Sequence, residues 1–204
     1  MENYINLYGN KIELTQEQIE KIAESVGIKQ VKLCDIPSGE VIKLGKYEFI
    51  VLEHSKETTA IILKDLLYEN KQFGSNNNYK DSNADKLCCE FADEIAKIVG
   101  EDNLIEHTVD LTSDDGLKDY GSVKRKMSLI TTELYRRYVE IFDKHKIEKW
   151  WWLSTADSTP THANNTWVKC VSPIGYFDGN GYSNYFGVRP VLVFVSDISV
   201  SCEE

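Results

Sequence analysis

Four histidines, five cysteines and one run of aspartates are the side chains here whose types could bind a metal or carry covalent chemistry. His54, His107, His145 and His162 stand far apart and share no metal-ligand spacing with one another or with a cysteine pair. Cys34, Cys88, Cys89, Cys170 and Cys202 are odd in number and include an adjacent pair, which fits reduced thiols better than a disulfide framework. Cys88 and Cys89 fall on the apolar side of a helical pattern, where cysteine acts as a small hydrophobe. The stretch Asp110-Leu111-Thr112-Ser113-Asp114-Asp115-Gly116 offers oxygens to a hard cation. Aligned as an EF-hand with Gly116 sixth, it would begin at Leu111 and end at Ser122, and neither is a carboxylate. A solvated or self-capped loop is expected instead.

Nucleophilic catalysis finds no better footing. Cys170 with His162 lacks a third orienting group, and Cys170 alternates inside a strand pattern. Gly181-Tyr182-Ser183-Asn184-Tyr185 lacks the last glycine of a Gly-x-Ser-x-Gly elbow, and no Gly-rich phosphate loop occurs. The chain therefore reads as a non-enzyme, with no catalytic residue, metal ligand or cofactor expected. What remains is the C-terminal third, where aromatics alternate with Asn, Asp, Ser and Gly, the chemistry of adaptable recognition surfaces. Asn164, Asn165, Trp167, Tyr176, Asp178, Asn180, Tyr182, Asn184 and Tyr185 are the expected ligand-binding residues. Trp150, Trp152 and Arg189 are expected to be structural. Arg189 precedes Pro190 in an apolar strand, where an unpaired guanidinium would cost several kcal/mol, so it should meet a carboxylate or backbone carbonyls.

These residues need a scaffold. Thr15 and Gln18 form a Thr-x-x-Gln capping box, and Ile19, Ile22, Ala23 and Val26 then repeat at helical spacing, predicting a helix over 16–26 that Gly27 ends. Strands are expected at 31–34, 40–44, 47–53 and 58–63, and a loop that buries little at 73–81. Ser82 can cap a helix with an apolar stripe of Ala84, Leu87, Cys88, Phe91, Ile95 and Ile98, stopped by Gly100. Residues 104–111 read as extended and 112–121 as an acidic loop. A short helix follows from Thr131 or Thr132, with Leu134, Tyr138, Ile141 and Phe142 on one face. Short strands return at 150–153, 168–171, 188–195 and 198–200. The order predicts an α+β fold with antiparallel sheets: an appendage over 1–29, of strand and amphipathic helix, then a domain over 30–204. The helix stripe needs a partner surface, on its own domain or as a homo-oligomer contact.

A length of 204 residues suits one main core with a small appendage. Lys plus Arg number 23 against 33 Asp plus Glu, a formal charge of −10 that repels phosphate backbones and anionic membranes. General nucleic-acid binding and membrane attachment are disfavoured. No apolar run approaches the roughly 20 residues of a membrane span, and Met1-Glu2-Asn3-Tyr4 has no signal character. With the cysteine usage, this predicts a cytoplasmic place of synthesis, compatible with later assembly into a virion.

His107-Thr108-Val109-Asp110-Leu111-Thr112-Ser113-Asp114-Asp115-Gly116, Trp150-Trp151-Trp152-Leu153-Ser154-Thr155 and Gly187-Val188-Arg189-Pro190 together resemble an uncharacterised domain common in bacteriophages and prophages of gut Firmicutes. The likeness runs over 31–201. That domain is similar to the C-type-lectin-like fold of the formylglycine-generating-enzyme type, which also serves the variable proteins of diversity-generating retroelements. The resemblance implies a C-type-lectin-like α+β domain that displays its binding residues over 157–186. The chain has no Glu-Pro-Asn or Trp-Asn-Asp motif of the kind that holds calcium and sugar in animal lectins, and no nearby C-terminal cysteine pair for formylglycine chemistry. The function expected is a phage-associated recognition protein that binds a protein or other macromolecular ligand of the host. The alternative is an intracellular phage inhibitor of a host defence enzyme, acting through its acidic surface. Thiol titration of denatured, unreduced protein should report five free cysteines, and a chelator should leave the melting temperature unchanged. A chelator-induced drop would reinstate a cation in the acidic loop.

Overall fold

The computed structural model describes residues 4–7, 10–15, 17–18, 21–22, 30–163 and 165–201. Near the start, β1 (Tyr4–Leu7) and β2 (Asn10–Glu13) form a separate two-stranded sheet. The capping box then closes reciprocally: Gln18 N–H donates to Thr15 Oγ1 at 3.3 Å and Thr15 N–H to Gln18 Oε1 at 2.8 Å. Of the stripe expected to dock this helix, Ile19, Ala23 and Val26 lie outside the described residues, as does Gly27, and Ile22 is half exposed.

The remaining strands are β3 (Gln30–Lys32), β4 (Val41–Leu44), β5 (Tyr47–His54), β6 (Thr58–Leu63), β7 (Tyr68–Gln72), β8 (Leu104–Ile105), β9 (His107–Asp110), β10 (Ser122–Arg125), β11 (Met127–Leu129), β12 (Trp151–Ala156), β13 (Trp167–Val171), β14 (Phe177–Gly181), β15 (Tyr185–Val188), β16 (Pro190–Val195) and β17 (Ser199–Ser201). The helices are α1 (Asn83–Val99), α2 (Thr132–Arg137) and α3 (Val139–Lys144). An eight-stranded sheet runs β11-β16-β6-β5-β4-β17-β3, with β8 beside β16, and a five-stranded sheet runs β14-β13-β12-β15-β7. Among the described residues, all pairings are antiparallel except β12 with β15. The fold is mixed α+β with mostly antiparallel sheets, as the order of patterns predicts.

The large sheet is buried on both faces, because adjacent strand residues point opposite ways and both sets are apolar. Phe49, Val51, Ile61 and Leu63 join the cluster under α1, whereas Ile50, Leu52, Ile62 and Val191 join Tyr135, Tyr138 and Phe142 of the α2–α3 region. Strand β12 divides likewise: Trp152 enters the first cluster, Trp151 and Leu153 the second. Trp150, partly buried, stacks on Phe186 at 5.5 Å. Ser82 caps α1 as expected by accepting from Asp85 N–H, and Gly100 ends it at φ 90°, a region that side-chain-bearing residues avoid. Asp85, 1% exposed, takes a bidentate grip from Arg125 at 2.9 and 2.8 Å that ties α1 to β10.

Three expectations change. The short helix after Thr131 breaks in two at Tyr138, whose φ of −109° and ψ of 22° leave the helical region, although Leu134, Tyr138, Ile141 and Phe142 do share one cluster, which Tyr135 joins. Cys89 faces solvent while Cys88 is core, since successive helical residues diverge by about 100°. The loop over 73–81 buries Phe73, Asn77 and Tyr79 almost completely; length and asparagine content did not reveal that it plugs the core. Strands β7, β10, β11, β14 and β15 escape the alternation rule because their sequences are polar, short or glycine-bearing.

Arg189 is 1% exposed and donates through Nε to Leu63 O at 2.8 Å and through Nη2 to Lys64 O at 2.9 Å. Its guanidinium lies 5.3 Å from both the Phe142 and Trp151 rings. Burial pulls its pKa down to about 10, so it stays charged at neutral pH. Truncation would orphan two carbonyls and empty the space beside the contacting Phe142 and Trp151 rings, so Arg189→Ala should cost about 3 kcal/mol in denaturant unfolding. An unchanged midpoint would refute this structural role.

Candidate functional site

The display segment begins at the bulged end of β12. Asp157 N–H donates to Trp167 O at 2.9 Å, which closes the intervening loop into a hairpin-like return. Strand β13 then pairs with β14 in the register Trp167↔Gly181, Lys169↔Gly179 and Val171↔Phe177 on one face, and Val168↔Asn180 and Cys170↔Asp178 on the other. Val168 and Cys170 enter the first core cluster, whereas the opposite, outer face is covered by the second cluster at Val171 and Phe177 and is open at its Trp167 end. Trp167 is 49% exposed. Its ring lies over Gly179, where an added Cβ would come 3.1 Å from Trp167 Cε3 and 3.2 Å from Asp157 Oδ1. A side chain at 179 would require the indole or the carboxylate to give by a few tenths of an ångström.

Charged groups stiffen this face. Lys169 Nζ bridges Asp157 at 3.0 Å and Asp114 at 3.1 Å, and Arg136 Nη2 also meets Asp114, at 3.2 Å. The Arg136 guanidinium lies 4.8 Å from the Phe177 ring. From behind, Asn77 holds the loop. Its Nδ2 donates to Ser158 O at 2.9 Å and Trp167 O at 3.0 Å, its N–H donates to Asn165 O at 2.9 Å, and its Oδ1 accepts from Tyr120 at 2.6 Å.

The expected binding residues separate into groups. Asn164 lies outside the described residues. Asn165, Trp167, Asn180, Tyr182 and Asn184 cluster at the open end of the β13–β14 hairpin: Tyr182 N–H donates to Thr166 O at 2.9 Å, and Asn184 Nδ2 donates to Asn180 Oδ1. Tyr182 is half-buried against the core. Tyr176 sits in the turn at the other end, across from Ser172, five residue steps from the Trp167 end and hence about 17 Å away at the usual strand rise. It shares that turn with Ile174, which is 78% exposed. Tyr185 pairs across from Gln72 and lines a shallow groove of about 450 Å³ beside α1 with Lys71, Lys86 and Leu87. Asp178 and Asn180 act locally, since each accepts from the next residue's backbone N–H, Gly179 at 2.7 Å and Gly181 at 3.0 Å, on the edge strand of the sheet. Self-capping of that kind leaves fewer free donors for another strand.

The acidic loop is self-capped, as its sequence predicts. Asp110 accepts from Thr112 N–H and Oγ1, Asp119 from Thr159 Oγ1, and Asp115 from Ser113 Oγ, Ser158 Oγ and His162 Nδ1. The hydroxyls of Ser113 and Ser158, with His162, hold the Asp115 carboxyl far below its ordinary range. His162 is thus committed to Asp115, while Cys170 donates to Asp178 O at 3.5 Å and burial pushes its thiol up to about 12. A thiolate there is suppressed at neutral pH, and the two residues serve separate contacts. No group of three or more His, Cys, Asp or Glu placed to hold a metal occurs among the described residues. Among those residues, no helix is long and apolar enough to cross a membrane.

Sequence reasoning missed Asn77, Asp157, Lys169 and Ile174. The Pro173-Ile174-Gly175 turn was the available signal for Ile174; the contacts of the other three join segments far apart in the chain. Compared with known proteins, the chain matches no family model, no curated protein and no solved structure. Its site is therefore read from its own geometry.

Asp115 has an unfolded value near 3.8 and a lower one in the fold, so its contribution to stability is present above that value and lost as pH falls through the folded one. The melting temperature should fall between about pH 4 and pH 2, and Asp115→Asn should flatten that fall. Parallel curves for the two proteins would show that the bonds to Asp115 contribute nothing.

Proposed function

We propose that this chain is a non-enzymatic, phage-associated recognition protein of C-type-lectin-like fold, which binds a protein or other macromolecular ligand of the host through the outer face and open end of the β13–β14 hairpin. One observation carries the reading: Trp167 keeps half its surface in water on a strand pair fixed by hydrogen bonds and ion pairs, whereas Trp151 and Trp152 are buried and Trp150 is stacked on Phe186. An exposed indole on a stiff support is a low-entropy anchor, and Asn165, Asn184 and Tyr182 supply polar contacts at its side. The motif resemblance and the mixed α+β architecture support the fold assignment. The acidic-inhibitor alternative loses ground, because Asp110, Asp114, Asp115 and Asp119 each direct oxygens to internal donors.

A partner recovered from bacterial host lysate allows the test. Trp167→Ala should weaken its binding by about 2 kcal/mol and Asn184→Ala by less, with the circular dichroism spectrum unchanged. Charge reversal at Asp110 of the aspartate run, and at Glu57 and Glu140 elsewhere, all exposed, should leave affinity nearly constant. If those reversals abolish binding while Trp167→Ala does not, the acidic surface is the site.

A further inference from the structure

We infer that the open face of Trp167 is the seat of a basic side chain, so that the partner presents an arginine or lysine there. This rests on the reading of that face as the recognition surface and adds the chemistry of what it receives. A cation placed over an aromatic face is attracted by the ring quadrupole, and indole is the strongest such acceptor among side chains. Here the ring does not act alone. On its Gly179 side, the ring edge and Asp157 Oδ1 border the same bare stretch of backbone, at 3.1 and 3.2 Å from the point where an added Cβ would lie, and that oxygen also receives Lys169 Nζ at 3.0 Å.

The surrounding charge has the matching sign. The loop leading into Trp167 lies against the acidic loop, and Asp114, Asp115, Asp119 and Asp157 outnumber Lys169 and Arg136 in the network that joins them. The Lys169 side chain is only 11% exposed, so its charge is held beneath the face. The whole chain carries −10, a field that concentrates cations and repels anions. A phosphate-bearing or acidic ligand would approach against that field, and a neutral sugar would use the ring and forgo the charge. A basic protein segment uses both.

The test is a titration of the full chain with three probes: a short arginine-rich peptide, its citrulline counterpart, which keeps the shape and loses the charge, and a neutral chito-oligosaccharide. The readout is the indole N–H resonance of Trp167, assigned with Trp167→Phe. The arginine peptide alone should move it. Trp167→Ala should weaken that peptide about fivefold, and Asp157→Asn, which keeps the ring, about twofold. An equal response to the citrulline peptide or the sugar, or no response to the arginine peptide, overturns the inference. If the arginine peptide fails while Trp167→Ala still weakens the lysate partner, the recognition face stands and the cation seat falls. If Trp167→Ala leaves both untouched, both readings fall.

Discussion

One buried amide holds the display face in place. Asn77 is fully buried, and its three hydrogen-bonding groups reach four partners: Ser158, Asn165, Trp167 and Tyr120. The chain segments involved are far apart in sequence, and none of them could fix its backbone alone. A buried amide left unpaired costs about 1–3 kcal/mol, so each bond is obligatory as well as favourable. The loop under Trp167 is set by this satisfaction problem, and Trp167 can remain half exposed because its backbone, rather than its ring, does the anchoring.

The outer face follows from a second constraint, the shortage of side chains on β14. Glycine at 179 and 181 would ordinarily weaken a strand. Here the bare floor admits the indole and brings Asp157 beside it, while Asp178 and Asn180 occupy the backbone donors of the exposed edge. Loss of strand propensity is offset by ion pairs from Lys169 to Asp114 and Asp157 in adjoining loops and by Arg136 over Phe177. The large negative charge is handled in the same region. Aspartates that look from sequence like a solvent-facing patch are wired to hydroxyls, His162, Arg136 and Lys169, so the long-range field survives while the individual carboxylates are occupied.

Much of the scaffold was legible in the chain. The capping box at Thr15 and Gln18, the Ser82 cap, the α1 stripe and the strand at Thr58–Leu63 all form where local chemistry placed them. The self-capping of the aspartate run was legible too, because Thr112 and Ser113 sit two residues from Asp110 and Asp115. The candidate site was legible only in composition. Tyr176 and Trp167 belong to one aromatic-polar stretch, yet they occupy opposite ends of one hairpin. Asp178 and Asn180 look like ligand-facing polar groups and serve the strand edge.

By itself the sequence determined what depends on neighbours within a few residues: periods of two and of 3.6, caps, turns, the pairing of acids with nearby hydroxyls, and the net charge. Tertiary structure alone decided that residues 73–81 would plug the core, that Arg189 would lie against both Phe142 and Trp151 on two carbonyls, and that Asn77, Asp157 and Lys169 would converge beneath one exposed indole. Those outcomes rest on contacts between residues from about a dozen to more than a hundred positions apart. A contact of that kind leaves no mark on local spacing, because burial and hydrogen-bond satisfaction are settled only once the sheets have paired.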